Sequence, residues 1–157
     1  MKIVLLVIGK ISAGSWNDAF TDYVGRLGHY VPFETVVIQD LRNVKSITEA
    51  QQKEQEGRLI LKALNISDYC VLLDERGKQF TSIQFASWME QKMQSALKRF
   101  VFVIGGPYGF SNEVYERASE QLSLSRMTFS HQMMRPIFAE QLYRAMTIIR
   151  KEPYHHV

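Results

Sequence analysis

Phe100-Val101-Phe102-Val103-Ile104 runs directly into Gly105-Gly106-Pro107-Tyr108-Gly109-Phe110. An apolar strand ending in a three-glycine turn is backbone suited to close approach, because glycine has no Cβ to hold a neighbour away. The pattern is Gly-Gly-x-x-Gly. It is neither the Gly-x-Gly-x-x-Gly of dinucleotide folds nor a loop ending in Gly-Lys-Ser/Thr, and it follows the fourth apolar run rather than the first. Three readings stay open: a phosphate cradle, a plain tight turn, and a seat for another backbone segment or an adenine edge. The last fits best.

Outward from this turn, apolar runs alternate with helical stretches. Ile3–Ile8, Glu34–Gln39 and Tyr69–Leu73 read as strands before it. Ser15 is a candidate cap for a helix through Trp16, Phe20, Tyr23 and Leu27, spaced by three and four. Ser46 to Leu64 reads as a polar helix, and Thr81 or Ser82 begins one carrying Phe85, Trp88, Met89 and Met93 on one side. After the turn, Ser111 caps a helix to about Gln121, and Arg126–Phe129 reads as a short fifth strand. Pro136 suits the first turn of the last helix, where Phe138, Leu142, Ala145 and Ile149 form one stripe. Strand alternating with helix predicts an α/β domain, with helices on both faces of a mostly parallel sheet. Runs three and four are apolar on both faces, as central parallel strands are. Ligands of such sheets sit beyond the strands' carboxyl ends, which puts Leu73-Asp74 and Gly105-Gly106 together as candidate pocket walls.

The 157 residues fit one domain, 1–157, with no repeat or linker. A chain of this size buries about 70% of its unfolded surface and needs no disulfide or metal staple. The single cysteine, Cys70, leaves no internal disulfide and no cysteine-rich zinc pattern. No apolar run reaches the roughly 18 residues of a membrane span, so a cytoplasmic, reducing setting is the expectation. Net charge is +3. Residues 1–116 are neutral, with thirteen basic and thirteen acidic side chains, so the excess sits in residues 117–157 with three of the four histidines. Five of the six cations there are arginines, whose planar fork suits phosphate; a solvated helix face explains the same charge.

No nucleophile dyad or metal cluster stands out. Ser123, Ser125 and Ser130 lie near His131 without a nucleophile-elbow pattern, and His155-His156 are adjacent rather than spaced along a helix. By themselves they read as a frayed tail or a tag remnant. Met127, Phe129, Met133, Met134 and Phe138 read as core or as a subunit interface.

Several separated motifs, taken in order, are more specific than any of these. Ile-Gly-Gly-Pro-x-Gly at 104–109, Leu-Ser-x-x-Thr-Phe at 124–129, His131, Glu140-Gln141-Leu142-Tyr143-Arg144-Ala145 and Pro153-Tyr154-His155 resemble the RlmH-type ribosomal RNA methyltransferases of the SPOUT class. The opening Lys2-to-Gly9 strand, the Leu73-Asp74-x-x-Gly77-Lys78 turn and the length agree, so the resemblance spans the chain. It implies a carboxyl-terminal trefoil knot. The implied reaction is methyl transfer from S-adenosylmethionine to N3 of a pseudouridine in 23S ribosomal RNA. The enzyme would be a homodimer on the assembled ribosome, with each site completed by the partner; neither DNA nor a membrane is an expected partner. Carried over by motif, Leu73, Gly105, Leu124, Ser125, Arg126, Met127, Thr128 and Phe129 are the expected cofactor site. Tyr154, His155 and Arg135 are the expected catalytic group, with His131 and Arg144 on the RNA. Pro136 stands where relatives carry an aliphatic residue, and His156 offers a second imidazole beside His155.

Two other classes compete. A non-catalytic RNA- or ribosome-binding module needs only the basic carboxyl region. A nucleotide enzyme of dinucleotide-fold type needs a phosphate loop after the first strand, and Gly9-Lys10-Ile11-Ser12 is a poor one.

Overall fold

The computed structural model describes residues 1–156; Val157 lies outside the described residues. Five parallel strands form one sheet in the order β2-β1-β4-β3-β5. They are β1 (Lys2–Ile8), β2 (Phe33–Ile38), β3 (Tyr69–Gln79), β4 (Arg99–Ile104) and β5 (Glu120–Ser123). The helices are α1 (Ser15–Leu27), α2 (Glu49–Ala63), α3 (Ser82–Gln94), α4 (Asn112–Arg117) and α5 (His131–Ile149).

Strand side chains point alternately to the two faces. Ile3, Leu5 and Val7 of β1 pack with Phe100 and Phe102 of β4 under α1, α3 and α5. Val4, Leu6 and Ile8 face the opposite way, against Ile60 of α2 and Val114 of α4. The expected α/β layering therefore holds. The central strands bury both faces, each large apolar side chain contributing about 1.5–3 kcal/mol.

Four local expectations are corrected. Gly14, not Ser15, holds the cap position of α1, at φ 135°. α2 begins at Glu49 rather than Ser46, capped by Thr48 in a reciprocal box with Gln51. The fifth strand is Glu120–Ser123, and Arg126–Phe129 is a connecting loop, because α4 already ends at Arg117. The last helix starts at His131, where the Ser130 side chain accepts from the Met133 N–H, so Pro136 lies inside it. Proline there cannot donate to the Gln132 carbonyl.

β3 does not stop at Leu73. Leu73 and Lys78 both register with Leu122 of β5, so residues 74–77 bulge out between them. β4 leads into the glycine turn, and α4 then carries the chain past β3 to β5 at the sheet edge. The bulge, the turn and the exit from β5 thus gather at one end of the sheet.

Candidate active site

These three segments, with the start of α5, enclose a cavity of about 480 Å³, within the range of small-molecule sites. Leu73, Ile104 and Leu124 give it an apolar floor, and Gly105 to Phe110 form one wall. Ser125, Met127, Thr128 and Phe129 form the facing wall, and His131 and Met134 close it from α5. The facing loop is pinned locally. Ser123 Oγ donates to the Ser125 carbonyl at 2.9 Å, Ser125 Oγ accepts from the Met127 N–H at 3.0 Å, and Thr128 Oγ1 donates to Glu75 at 2.9 Å.

The glycines answer to their neighbours. A Cβ on Gly105 would stand 2.8 Å from the Phe110 ring, so the turn folds over its own aromatic residue. Gly109, at φ 81°, takes a left-handed conformation and closes the turn by bonding to the Gly106 carbonyl at 3.2 Å.

The sequence-predicted cofactor residues converge with one exception. Leu73, Gly105, Leu124, Ser125, Met127, Thr128 and Phe129 line the cavity, whereas Arg126 points to solvent and does not. Met127, read as core or as a subunit interface, is 77% exposed at the rim. His131 also lines the cavity. Burial, with Arg135 nearby, holds its imidazole below the ordinary value and so neutral near pH 7.

Arg135, expected in catalysis, tethers α5 to backbone. It is only 2% exposed. Its guanidinium donates to the carbonyls of Ile8 (3.1 Å), Gly9 (2.9 Å) and Lys10 (3.4 Å), fastening α5 to the end of β1.

Tyr154, His155 and Arg144 form a separate cluster. Lys151, at φ 57°, reverses the chain after α5 and folds the tail back along it. Tyr154 Oη donates to Glu140 at 3.1 Å and meets Tyr23 Oη at 3.2 Å. Arg144 bonds to Glu140 at 2.5 Å and to His155 Nδ1 at 3.3 Å. Tyr154 and His155 are therefore packed rather than frayed, while His156 is exposed. Burial and these acceptors push the Tyr154 phenol well above its ordinary value, so it stays protonated. Glu140 lies nine residues beyond His131, about 13 Å along the helix, and none of Tyr154, His155 or Arg144 lines the cavity.

Of the polar rim, sequence reasoning reached only Asp74, as a pocket wall, and missed its partners. Asp74 accepts from Tyr115 Oη and from the Arg76 backbone N–H at 2.8 Å, while the Arg76 guanidinium lies 5.4 Å from the Tyr115 ring centroid. Burial opposes ionisation of Asp74, but these donors outweigh it and hold the carboxyl below its usual value. Only the position of Asp74 at a strand end hinted at this group.

An apolar-floored cavity walled by bare backbone, at the carboxyl ends of a parallel sheet, is built for a small organic ligand. The family model described as "Predicted SPOUT methyltransferase" matches residues 1–155, and the chain belongs to that methyltransferase family. Ribosomal RNA large subunit methyltransferase H of Parabacteroides distasonis is 64% identical over 156 residues, 99% of each chain. The proteins of the same name from Phocaeicola vulgatus and Bacteroides fragilis are 55% and 54% identical over the same span. A candidate methyltransferase of Legionella pneumophila, solved with bound SAM, overlays with a TM-score of 0.46 at 15% identity, covering 92% of this chain and 66% of its own.

Proposed function

We propose that the chain methylates N3 of a pseudouridine in 23S ribosomal RNA on the assembled ribosome, taking the methyl group from S-adenosylmethionine. The observation that carries this reading is the cavity in which Leu73, Gly105 and the 124–129 loop meet. Its volume and apolar floor fit a nucleoside with a short side chain, and the carboxylate, guanidinium and hydroxyls of its rim fit that ligand's polar end.

When bound, S-adenosylmethionine supplies an electrophilic methyl group; as N3 takes it up, the carbon–sulfur electron pair stays on sulfur and the N3 proton leaves to a base. The chain's own contribution is chiefly alignment, worth about 7–11 kcal/mol in favourable cases, against 10²–10⁴-fold from a general base. Leu73, Ile104 and Leu124 keep water from the reacting carbon. His131, neutral and on the cavity wall, orients the base. Tyr154, held protonated, serves as a hydrogen-bond donor and not as a proton acceptor, which leaves His155 to take the N3 proton. Arg144 holds a phosphate beside them.

The separation between the tail cluster and the cavity supports a homodimer in which one protomer's tail reaches its partner's cavity. Exposed Met127 at the rim supports the same arrangement. The trefoil knot belongs to this reading too: bare glycine backbone at 105–106 suits a chain threaded closely past itself. A non-catalytic RNA-binding module would leave the cavity without a use. Unmodified ribosomes incubated with the protein and labelled S-adenosylmethionine should gain one methyl group on 23S RNA, located by mass spectrometry; absence of incorporation with active ribosomes refutes the proposal.

A further inference from the structure

Behind the glycine turn lies a charge-bearing group that the reaction described above does not use. Glu56 of α2 is 3% exposed. Its Oε1 accepts from Gln52 at 3.0 Å, but its Oε2 is buried without a hydrogen-bond partner among the described residues. That oxygen stands 2.0 Å from where a Cβ of Gly106 would be, and Gly106 is a wall residue of the cavity. No side chain on Gly106 therefore intervenes between carboxyl and cavity. Ser111 Oγ, also buried and unpartnered, lies against the adjacent Gly57.

A buried carboxyl group is costly as an anion unless a cation faces it. The groups acting on Glu56 are Gln52 on its own helix and Asp40, which is of like charge. Burial pushes the carboxyl above its usual value, with Asp40 adding to the shift. The free protein thus holds an unsatisfied acidic group behind the barest part of its cavity wall. Among the described residues no cation acts on Glu56, and the sulfonium is the positive charge that the cavity's proposed ligand has and its demethylated product lacks.

We infer that Glu56 is the counter-charge for that sulfonium, a positioning and specificity residue that lets the cavity distinguish the cationic donor from its neutral demethylated product across the Cα of Gly106. The inference rests on the methyl-donor reading. Low local dielectric makes such a pair stronger than it would be in water. Methyl transfer removes the sulfur's charge, so the attraction ends with the reaction and the product is held less tightly. Because the attraction is greatest before transfer, Glu56 contributes to donor affinity and product release rather than to the chemical step.

The test is calorimetry of the full chain with three ligands: S-adenosylmethionine, its neutral product S-adenosylhomocysteine, and sinefungin, which carries an amine in place of the methylated sulfur. The wild type should bind both cationic ligands about tenfold more tightly than the neutral one. Glu56→Gln, matched in shape, should bring that preference to within about twofold by weakening the cationic ligands alone. A preference that survives Glu56→Gln, or an equal loss for all three ligands, overturns the inference and makes Glu56 a structural support of the turn. If Glu56→Gln does not fold, Glu56→Asp keeps the charge but withdraws it by one methylene; the preference should fall part-way, and a wild-type preference overturns the inference. Failure of all three ligands to bind the wild type refutes the methyl-donor reading itself, and this inference with it.

Discussion

Gly77 is where a single methyl group tests how the cavity is built. A Cβ there would lie 2.6 Å from the Leu122 nitrogen and 2.7 Å from the carbonyl carbons of Gln121 and Leu122. All three are backbone atoms of β5, so no rotamer change relieves the clash. Reaching an ordinary 3.4 Å contact requires β5 to retreat by about 0.8 Å from β3. β5 is only four residues long, and Leu122 registers with both Leu73 and Lys78. Overpacking costs about 1–3 kcal/mol, and one or two weakened ladder bonds add about 0.5–1.5 kcal/mol each. Gly77 is not among the positive-φ residues, so alanine recovers about 0.4–1 kcal/mol through the unfolded chain. The clash wins, and Gly77→Ala should lose about 3 kcal/mol. For a domain of this size that lowers Tm by roughly 6–12 °C. Because β5 runs into the 124–129 wall, affinity for S-adenosylmethionine should fall at least about tenfold. Thermal denaturation and calorimetry on the same sample decide it. A Tm within a degree of wild type with unchanged affinity would refute the argument that β5 backbone seats directly on Gly77.

Three further outcomes are expected. Arg135→Leu leaves the carbonyls of Ile8, Gly9 and Lys10 without their buried donor, and urea denaturation should show a loss of about 3 kcal/mol; the salt slope of RNA binding should keep its value, whereas a lost phosphate contact would lower it by about 0.7. Tyr154→Phe removes the hydroxyl shared by Glu140 and Tyr23; methyl transfer should fall about tenfold or more while donor affinity stays within about twofold, and a large loss of donor affinity would put the tail inside its own protomer's cavity. His131 has a folded pKa below its ordinary 6.5. Between the two values the unfolded chain binds more protons, so stability rises with pH there and is lost as pH falls below 6.5. A pH series of denaturation midpoints should show that slope, and His131→Asn should flatten it.

The central strands were legible because burial on both faces leaves a continuous apolar run, as in Tyr69–Leu73 and Phe100–Ile104. The cavity's main walls were legible for a similar reason: a strand end, a glycine turn and a motif-bearing loop are local patterns. β5 was not. Glu120-Gln121-Leu122-Ser123 carries a single apolar residue, and it is a strand because it pairs with β3, some fifty residues earlier. Pro136 misled in the opposite direction. Its residue type favours a first turn, but the Ser130 cap and the Arg135 tether hold a full helical turn ahead of it.

By itself the sequence determined the strand–helix alternation, the position of the glycine turn and the family, since all three reside in residue order and short spacings. Tertiary structure alone decided the strand order, the burial of Arg135 against β1, the fit of Gly77 on β5 and the placing of Glu56 behind Gly106. Each of these is a contact between segments about thirty or more residues apart. Such contacts depend on where the backbone travels in space, and that is set by how the whole sheet packs, not by any stretch of residues read locally.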